Sequence, residues 1–287
     1  MVSNQPTVTL VICTLNRAEI LRQAVEDVWQ LVTQPDELIV VDQTDVLPSD
    51  LERFYQENTQ RLRVIRMKTK GLGQARNQAI KAAASDIILF IDDDVRLDAD
   101  IVYYHRKHYT DTAVGAVVGR VDDATGDAPS CGGRVNWFGK VDVDRDVSAV
   151  HSVESLSGGN MSIRTELARQ LGGFWRLEGN LVQLREETDM ALRIRRAGYQ
   201  VICEPEATLL HLAYKSGGTR SAIDRIRWYE DYFFAEFSYF FRNFPTWELP
   251  FYILGMSRPI LACTVYYGHL APRAIAAPWR ALKRAWK

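Results

Sequence analysis

The chain has 287 residues, of which 47% are hydrophobic and 25% are charged, and its formal net charge is -1. This balance is ordinary for a folded protein with a substantial core, so it excludes an intrinsically disordered chain. The near-neutral charge argues against a nucleic-acid-binding protein, which normally carries a strong basic excess. The length allows one large α/β domain with an appendage, or two smaller domains.

The first half of the chain alternates between two kinds of apolar pattern. Continuous apolar, β-branched runs predict strands over residues 7–13, 37–41, 62–67 and 87–91. Helical spacing of apolar residues predicts helices over residues 20–31, 49–57 and 71–84. Such an alternation at short spacing is typical of a parallel, doubly wound sheet with helices on both faces.

The second half of the chain is less regular. It predicts strands over residues 114–121, 157–163, 199–203 and 207–210. It predicts helices over residues 98–110, 186–197 and 221–243, and a helix that begins near Thr165. The segment between the strand at 114–121 and the next one is rich in Gly, Asp and Ser, so it predicts loops and an irregular hairpin.

The four cysteines are far apart and form no Cys-x-x-Cys pair. Cys13 and Cys203 lie in apolar, strand-like runs, so we expect both to be buried free thiols. Residues 1–12 lack the basic region followed by an apolar region that marks a signal peptide. We therefore expect a cytoplasmic location, either free in the cytoplasm or at the inner face of the plasma membrane.

The C-terminal region raises the question of membrane contact. The most apolar window, residues 249–271, contains Arg258. An arginine at the centre of a spanning helix costs about 2.5–3.5 kcal/mol, so we expect no transmembrane helix there. Residues 279–287 place two tryptophans and a leucine on one face among basic residues. Such a segment either lies in a membrane interface or packs on the protein's own core.

Three acids, Asp92 to Asp94, follow the apolar strand at residues 87–91. Unpaired carboxylates cannot continue into a core, so the chain must emerge at the carboxyl end of this strand, where open α/β sheets bind ligands. Asp92 and Asp94 point the same way, about 7 Å apart along the backbone. Two convergent carboxylates suit Mg²⁺ or Mn²⁺, which completes its coordination with substrate phosphates. Taken alone, an acidic run of this kind is more often a solvated turn that caps the next helix, and the features below favour the metal site instead.

Five features in chain order closely resemble family 2 glycosyltransferases, which have the GT-A fold and use nucleotide-sugar donors. They are the turn at residues 14–17, Asp42 after the second strand, the loop at 71–77, the acidic run, and Glu186 to Asp189 on a later helix. The resemblance extends over about residues 7–220.

The resemblance also implies a division of the chain. A GT-A domain would occupy residues 1–220, with a nucleotide-binding half at 1–95 and an acceptor half at 96–220. A C-terminal helical region would occupy residues 221–287.

On the donor side, the resemblance implies a pocket for the nucleotide base lined by Thr14, Asn16, Arg17 and Asp42. Asp42 could instead be a turn acid or a helix cap. Gly71 would let the backbone approach the donor, and Arg76 would bind phosphate through its planar fork. The alternative for both is a plain helix start.

The resemblance also implies which residues bind the metal and which lie near the acceptor. Asp92 and Asp94 match the family's Asp-x-Asp motif, with Asp94 as the direct metal ligand and Asp92 nearer the ribose. His211 would face the metal, although a lone histidine is often structural. Gly159 and Asn160 would lie beside the acceptor.

One departure concerns the catalytic base. Family members usually carry Glu-Asp-x-Asp at the helix start, with the second acid as the base. Here Glu187 occupies that position, Asp189 is its competitor, and Glu186 would contact the substrate. Alternatively, these acids merely complement a helix N-terminus.

The sequence thus predicts a Mn²⁺- or Mg²⁺-dependent, inverting hexosyl- or deoxyhexosyltransferase. It would move a sugar from a nucleoside-diphosphate-sugar to a hydroxyl of a glycan or lipid-linked acceptor, in polysaccharide or cell-envelope synthesis. One alternative is a catalytically inactive nucleotide-sugar-binding protein, for which Glu187 would be the altered position. Another is a metal phosphohydrolase, which normally needs more His and Asp ligands.

Overall fold

The structure is a computed structural model that describes residues 5–176, 184–214, 217–218, 225–268 and 276. Its strands are β1 Val8–Thr14, β2 Glu37–Asp42, β3 Arg63–Arg66, β4 Ile87–Ile91, β5 Val95–Leu97, β6 Val114–Asp123, β7 Gly133–Val135, β8 Val141–Val143, β9 His151–Ser152, β10 Asn160–Arg164 and β11 Gln200–His211. Its helices are α1 Ala18–Trp29, α2 Ser49–Glu57, α3 Leu72–Ala82, α4 Ile101–Arg106, α5 Thr165–Gln170, α6 Glu186–Arg196, α7 Arg225–Asn243, α8 Leu249–Gly255 and α9 Ser257–Tyr267.

Within the described ranges, nine strands form one sheet in the order β3-β2-β1-β4-β10-β6-β11-β5, and β9 pairs with β11. The neighbouring strands β3, β2, β1 and β4 pair in parallel, and so do β6 and β11. Most paired residues therefore lie in parallel ladders. Strand β10 runs antiparallel to both β4 and β6. The predicted α/β fold with a mostly parallel sheet is confirmed.

Helices cover both faces of this sheet. Alternate side chains of a strand point to opposite faces, so Leu10 and Leu89 pack against α1, α2 and α4 on one face. Val11 and Phe90 pack against α3, α5 and α6 on the other. The uninterrupted apolar run of β4 is therefore buried on both faces. Helices α7, α8 and α9 share a third, aromatic cluster of their own.

The register of the parallel strands brings three loops to one edge of the sheet. Thr14 pairs with Asp42 at the ends of β1 and β2, and Ile12 pairs with Ile91 at the end of β4. The segments that follow these strands, including Asp92, therefore lie together at the carboxyl edge, as predicted for a ligand site.

The prediction of two free thiols is wrong for Cys203. A disulfide joins Cys203, in β11, to Cys131, which is 72 residues earlier in the loop after β6. Strand β11 pairs with β6 along most of its length, and this pairing brings Cys203 beneath that loop. Cys13 is a free thiol of intermediate exposure.

Two expectations concern membranes. None of the described helices is both long enough and apolar enough to span a bilayer. The predicted interfacial segment, residues 279–287, lies outside the described residues.

Candidate active site

Two cavities open at the carboxyl edge of the sheet and share a wall. The smaller cavity, about 220 Å³, is lined by residues that include Thr14, Arg17, Gln43, Asp93 and Asp94. The larger cavity, about 540 Å³, is lined by residues that include Arg76, Gly158, Gly159, Glu186 and Glu187. Leu72, Asp92 and His211 line both cavities. The two cavities therefore adjoin each other at these side chains.

The three predicted metal ligands come together at this wall. Asp92, Asp94 and His211 each offer one ligand atom, and these atoms all lie within 4.8 Å of one another. Strand β4 delivers the two acids, and the far end of β11 delivers the histidine. Carboxylate oxygens with one imidazole nitrogen form a donor set that Mn²⁺ accepts, and Mg²⁺ prefers the oxygens. The donor set and its spacing fit a divalent cation.

Asp93, the middle acid, is not one of the three candidate metal ligands, but it lines the smaller cavity together with Asp92 and Asp94. It accepts a hydrogen bond of 2.6 Å from the Thr14 hydroxyl and pairs with Arg17 at 2.7 Å. Burial raises the pKa of Asp93 to about 6, against the opposing effects of Arg17 and Thr14. Two residues predicted to line a base pocket therefore contact the acidic run.

Arg17 also bridges the acidic run to the segment after β11. Its guanidinium lies 3.1 Å from Asp94 Oδ2 and donates to the Tyr214 carbonyl at 3.1 Å. The Tyr214 amide in turn donates to Asp94. The positive charge of Arg17 is thus fixed in the smaller cavity, beside the carboxylates of Asp92, Asp93 and Asp94.

The structure does not bring the Asp42 carboxylate to either cavity. Asp42 is fully buried, and it accepts hydrogen bonds from the Thr44 amide, the Tyr55 hydroxyl and Arg66. Asn16 adopts a positive φ of 57°, and its amide donates to the Thr44 hydroxyl.

Gln43, which the sequence analysis missed, lines the smaller cavity next to Asp42. Its amide nitrogen donates to the carbonyls of Thr69 and Gly71. Gly71 has a φ of 137°, which L-residues rarely adopt, so a glycine is needed where this loop enters α3. The signal in the sequence was the position of Gln43, directly after a buried strand at the carboxyl edge.

Arg76 lies with the acids of α6 and does not line the smaller cavity. Its side chain is only 2% exposed. It donates to Glu187 at 2.8 Å and to the Gly158 carbonyl at 3.0 Å, and Glu186 is 3.6 Å away. The predicted phosphate contact of Arg76 therefore stays a prediction, and its observed contacts are with the candidate base.

Glu186 and Glu187 begin α6, but they differ in exposure. The side chain of Glu187 is 19% exposed and that of Glu186 is 3% exposed. Burial, reinforced by neighbouring Glu187, raises the pKa of Glu186 well above its usual range, while Arg76 opposes this. Glu186 therefore holds a proton more readily than an ordinary glutamate, and Glu187 is the more accessible carboxylate of the two.

Two glycines make room for these acids. A Cβ atom on Gly158 would lie 2.2 Å from Glu187 Oε1. A Cβ atom on Gly159 would lie 2.8 Å from Asp92 Oδ2. Both distances are shorter than van der Waals contact, so a larger residue in this loop would displace these carboxylates from their observed positions.

Asp189 and Asn160 face away from the cavities. Asp189 pairs with Arg193 at 2.8 Å on its own helix, and it accepts from Arg242 and Asn243 of α7. Asn160 is fully buried, and its side chain bonds His105 and two backbone carbonyls. The structure thus brings neither side chain to the site.

Known proteins resemble this chain in sequence and in fold. The model of the family described as "Glycosyl transferase family 2" matches residues 9–172. The poly-beta-1,6-N-acetyl-D-glucosamine synthase of Staphylococcus aureus (strain COL) is 23% identical in an alignment 272 residues long, and this alignment covers 90% of this chain and 62% of that relative. The chain thus spans less than two thirds of the relative's length.

Two solved structures share the fold. A mannosyltransferase from Pyrobaculum calidifontis, solved with GDP-Man and Mn²⁺, aligns at a TM-score of 0.59 and 19% identity over 98% of this chain and 88% of its own. GalNAc-T7, solved with UDP, GalNAc and Mn²⁺, aligns at a TM-score of 0.61 and 15% identity over 82% of this chain and 51% of its own. At these identities the likeness shows the fold alone. Because the family model covers more than half of the chain, this protein belongs to glycosyl transferase family 2.

Proposed function

We propose that this protein moves a sugar from a nucleoside-diphosphate-sugar to an acceptor hydroxyl, with inversion at the anomeric carbon and with help from a divalent cation. One observation carries the proposal. The wall that contains Asp92 and His211 separates a cavity rich in acids and Arg17 from a cavity that contains Glu187. A donor in the first cavity and an acceptor in the second would meet at this wall.

The smaller cavity suits the diphosphate end of a donor. Asp92, Asp94 and His211 would hold Mn²⁺ or Mg²⁺, which would stabilise negative charge on the diphosphate leaving group. Arg17 supplies a fixed positive charge in the same cavity, so it can pair with a phosphate oxygen. Thr14 and Gln43 would lie beside the nucleotide.

Glu187 is our candidate for the catalytic base in the larger cavity. It would accept the proton of the acceptor hydroxyl while the hydroxyl oxygen attacks the anomeric carbon. General-base help of this kind contributes about 10²–10⁴-fold to a rate. Arg76 donates a hydrogen bond of 2.8 Å to the Glu187 carboxylate, and this bond favours one orientation of the Glu187 side chain. The bonds of Asp189 to Arg193 and α7 make it less accessible to an acceptor than Glu187, which supports Glu187 as the base.

We further propose a glycan acceptor within cell-surface polysaccharide assembly, because one relative carries the name of a polysaccharide synthase. A lipid-linked acceptor stays a prediction. The cytoplasmic location also stays a prediction, and the disulfide at Cys203 removes the free-thiol argument for it.

Release of nucleoside diphosphate from a panel of UDP- and GDP-sugars tests this function. The assay is run with Mn²⁺ and then with excess chelator, and with and without a panel of oligosaccharide acceptors. A transferase releases nucleotide only when acceptor and metal are present. Release that ignores the acceptor identifies a hydrolase instead. Tight nucleotide binding with no release under any condition identifies an inactive binding protein.

A further inference from the structure

His211 presents a different ring nitrogen to each of two carboxylates. Its Nδ1 lies 3.1 Å from Asp123 Oδ2, whereas its Nε2 lies 3.6 Å from Asp94 Oδ1. A neutral imidazole carries one N–H and one lone pair. A carboxylate at hydrogen-bond distance from Nδ1 favours the N–H there, so the lone pair remains on Nε2, the nitrogen nearer to Asp94.

The sheet itself builds the contact between Asp123 and His211. The two residues are paired at the ends of parallel strands β6 and β11. Beyond this pair, the Ala124 amide donates to the His211 carbonyl at 2.9 Å, which ties the strand ends together. Asp123 also accepts bonds from the amide and hydroxyl of Thr125, at 2.7 and 2.5 Å. The carboxylate is therefore held in place before it meets the imidazole.

We infer that Asp123 is a positioning residue, which keeps the proton of His211 on Nδ1 and the Nε2 lone pair directed at the candidate metal site. The inference rests on the proposed function, because it needs that metal site. Metal-binding histidines almost always donate their other N–H to a carboxylate, a carbonyl or a water, and loss of such a partner typically weakens metal binding 10–100-fold. Asp123 lines neither cavity, so it acts through His211.

The neighbouring acid offers a matched control. Asp122 lies on the same strand, but its carboxylate pairs with Arg120 at 2.8 Å. Asp122→Asn removes the same charge at nearly the same place and leaves the bond to His211 intact. Thr125→Val removes one of the two bonds that Thr125 donates to Asp123, so it tests whether any effect comes from the turn alone.

The experiment measures Mn²⁺ binding to the full chain by calorimetry. Asp123→Ala should weaken binding by about tenfold or more. Asp123→Asn keeps an oxygen that can accept from Nδ1, so it should recover most of the affinity. Asp122→Asn and Thr125→Val should bind Mn²⁺ like wild type. The conservative asparagine variant separates positioning of the imidazole from a general loss of negative charge, which both Asp123 variants share.

Two outcomes would overturn the inference in distinguishable ways. If His211→Ala weakens Mn²⁺ binding while Asp123→Ala binds like wild type, Asp123 does not position the histidine and the metal site stands. If neither His211→Ala nor Asp94→Asn changes Mn²⁺ binding, the metal site itself is wrong. Nitrogen-15 NMR of wild type, which needs no variant to fold, should find the His211 proton on Nδ1. A proton on Nε2 would contradict the inference directly.

Discussion

Glu187 and Asp189 are two residues apart on α6, and their surroundings differ. Glu187 lines the larger cavity and touches Arg76, which leaves part of its carboxylate open to an acceptor. Asp189 is 1% exposed, and its two carboxylate oxygens accept hydrogen bonds from three partners in α6 and α7. A proton acceptor must reach the group that it deprotonates, so the geometry favours Glu187.

Glu187→Gln should abolish most turnover while the protein stays folded. The amide keeps the size of the side chain but cannot accept a proton, so we expect kcat to fall about 10²–10⁴-fold with donor binding nearly unchanged. Asp189→Asn should instead lower the melting temperature, because it weakens buried ion pairs. Steady-state kinetics and thermal denaturation check both. Near-normal turnover of Glu187→Gln would rule this residue out as the base.

At this scale the sequence predicted which acids and histidine come together, but it did not predict the partners of Arg76 and Asp42. Asp92, Asp94 and His211 come together as the order of the motifs implied. Arg76 and Asp42 instead bind protein groups. The sequence could not predict these partners, because they are far away along the chain. Arg76 meets Glu187, which is 111 positions later, and Asp42 meets Arg66, which is 24 positions later.

Among the elements, α7 holds α6 in place through buried charges. Glu236 of α7 is 1% exposed and pairs with Arg185 at 3.0 Å and with Lys140 at 2.7 Å. Arg185, which directly precedes the acids of α6, has a positive φ of 70°. This unusual backbone conformation at the start of α6 is stabilised by an ion pair from the next helix.

Glu236→Ala should therefore be strongly destabilising. Removal of one partner from a buried ion pair typically costs about 3–5 kcal/mol, because the remaining charge is buried alone. Glu166 offers a control, since its pair with Arg169 is exposed and such pairs contribute about 0–1 kcal/mol. Urea denaturation of both alanine variants gives the two free energies. Equal losses would mean that Glu236 does not anchor α6.

Helix α4 should make the fold sensitive to mild acid through His105. This residue is fully buried and bonds Ser162 and Asn160 of β10. Burial lowers the pKa of His105 from 6.5 to about 4, although the bond to Asn160 opposes this. The neutral form is thus favoured in the folded state, so its contribution to stability is complete above pH 6.5 and is lost as the pH falls toward 4.

The loss attributable to His105 should reach at most about 1.4 kcal/mol per pH unit, the value for one proton. His105→Gln cannot take up a proton in this range, so the free energy of unfolding should fall less steeply between pH 6.5 and 4 than in wild type. Denaturant titrations at several pH values give both slopes. Parallel slopes would exclude His105 as the origin.

Element boundaries in the N-terminal half follow the sequence closely, and after β6 the starts of α5 and α6 also match, whereas the strands do not. The predicted α2, residues 49–57, and β4, residues 87–91, match the structure. Two separate predicted strands merge into β11, because its pairing with β6 continues across a register shift between Glu204 and Thr208. No local pattern marks β10 as antiparallel, since that direction depends on its neighbours in the sheet.

Across the whole molecule, the Cys131–Cys203 disulfide ties the long excursion after β6 back to the sheet. That excursion supplies Ser130, Gly132, Val141 and Val143 to the larger cavity. The bond therefore stabilises one wall of the cavity as well as the fold. Sequence alone could not find it, because the two cysteines are 72 residues apart and share no motif.

Cys131→Ser should lower the free energy of unfolding by about 2–4 kcal/mol, the usual contribution of a disulfide. Cys263→Ser serves as the control, because Cys263 is a free thiol. Denaturation without reductant compares the two variants with wild type. Peptide mapping without reductant should recover Cys131 linked to Cys203. If mapping finds both residues as free thiols, or if Cys131→Ser is as stable as wild type, the disulfide does not support the fold.

Nucleotide binding in the presence and absence of metal tests the central claim most directly. In the proposed site, Asp92, Asp94 and His211 would hold a cation that neutralises the diphosphate of the donor. UDP and GDP are titrated into the full chain by calorimetry, with Mn²⁺ and then with excess chelator, and Asp94→Asn is compared with Asp122→Asn. We predict that one nucleotide binds at least about tenfold more tightly with Mn²⁺, and that only Asp94→Asn removes this difference. Equal affinity in chelator, or an unaffected Asp94→Asn variant, would contradict the account.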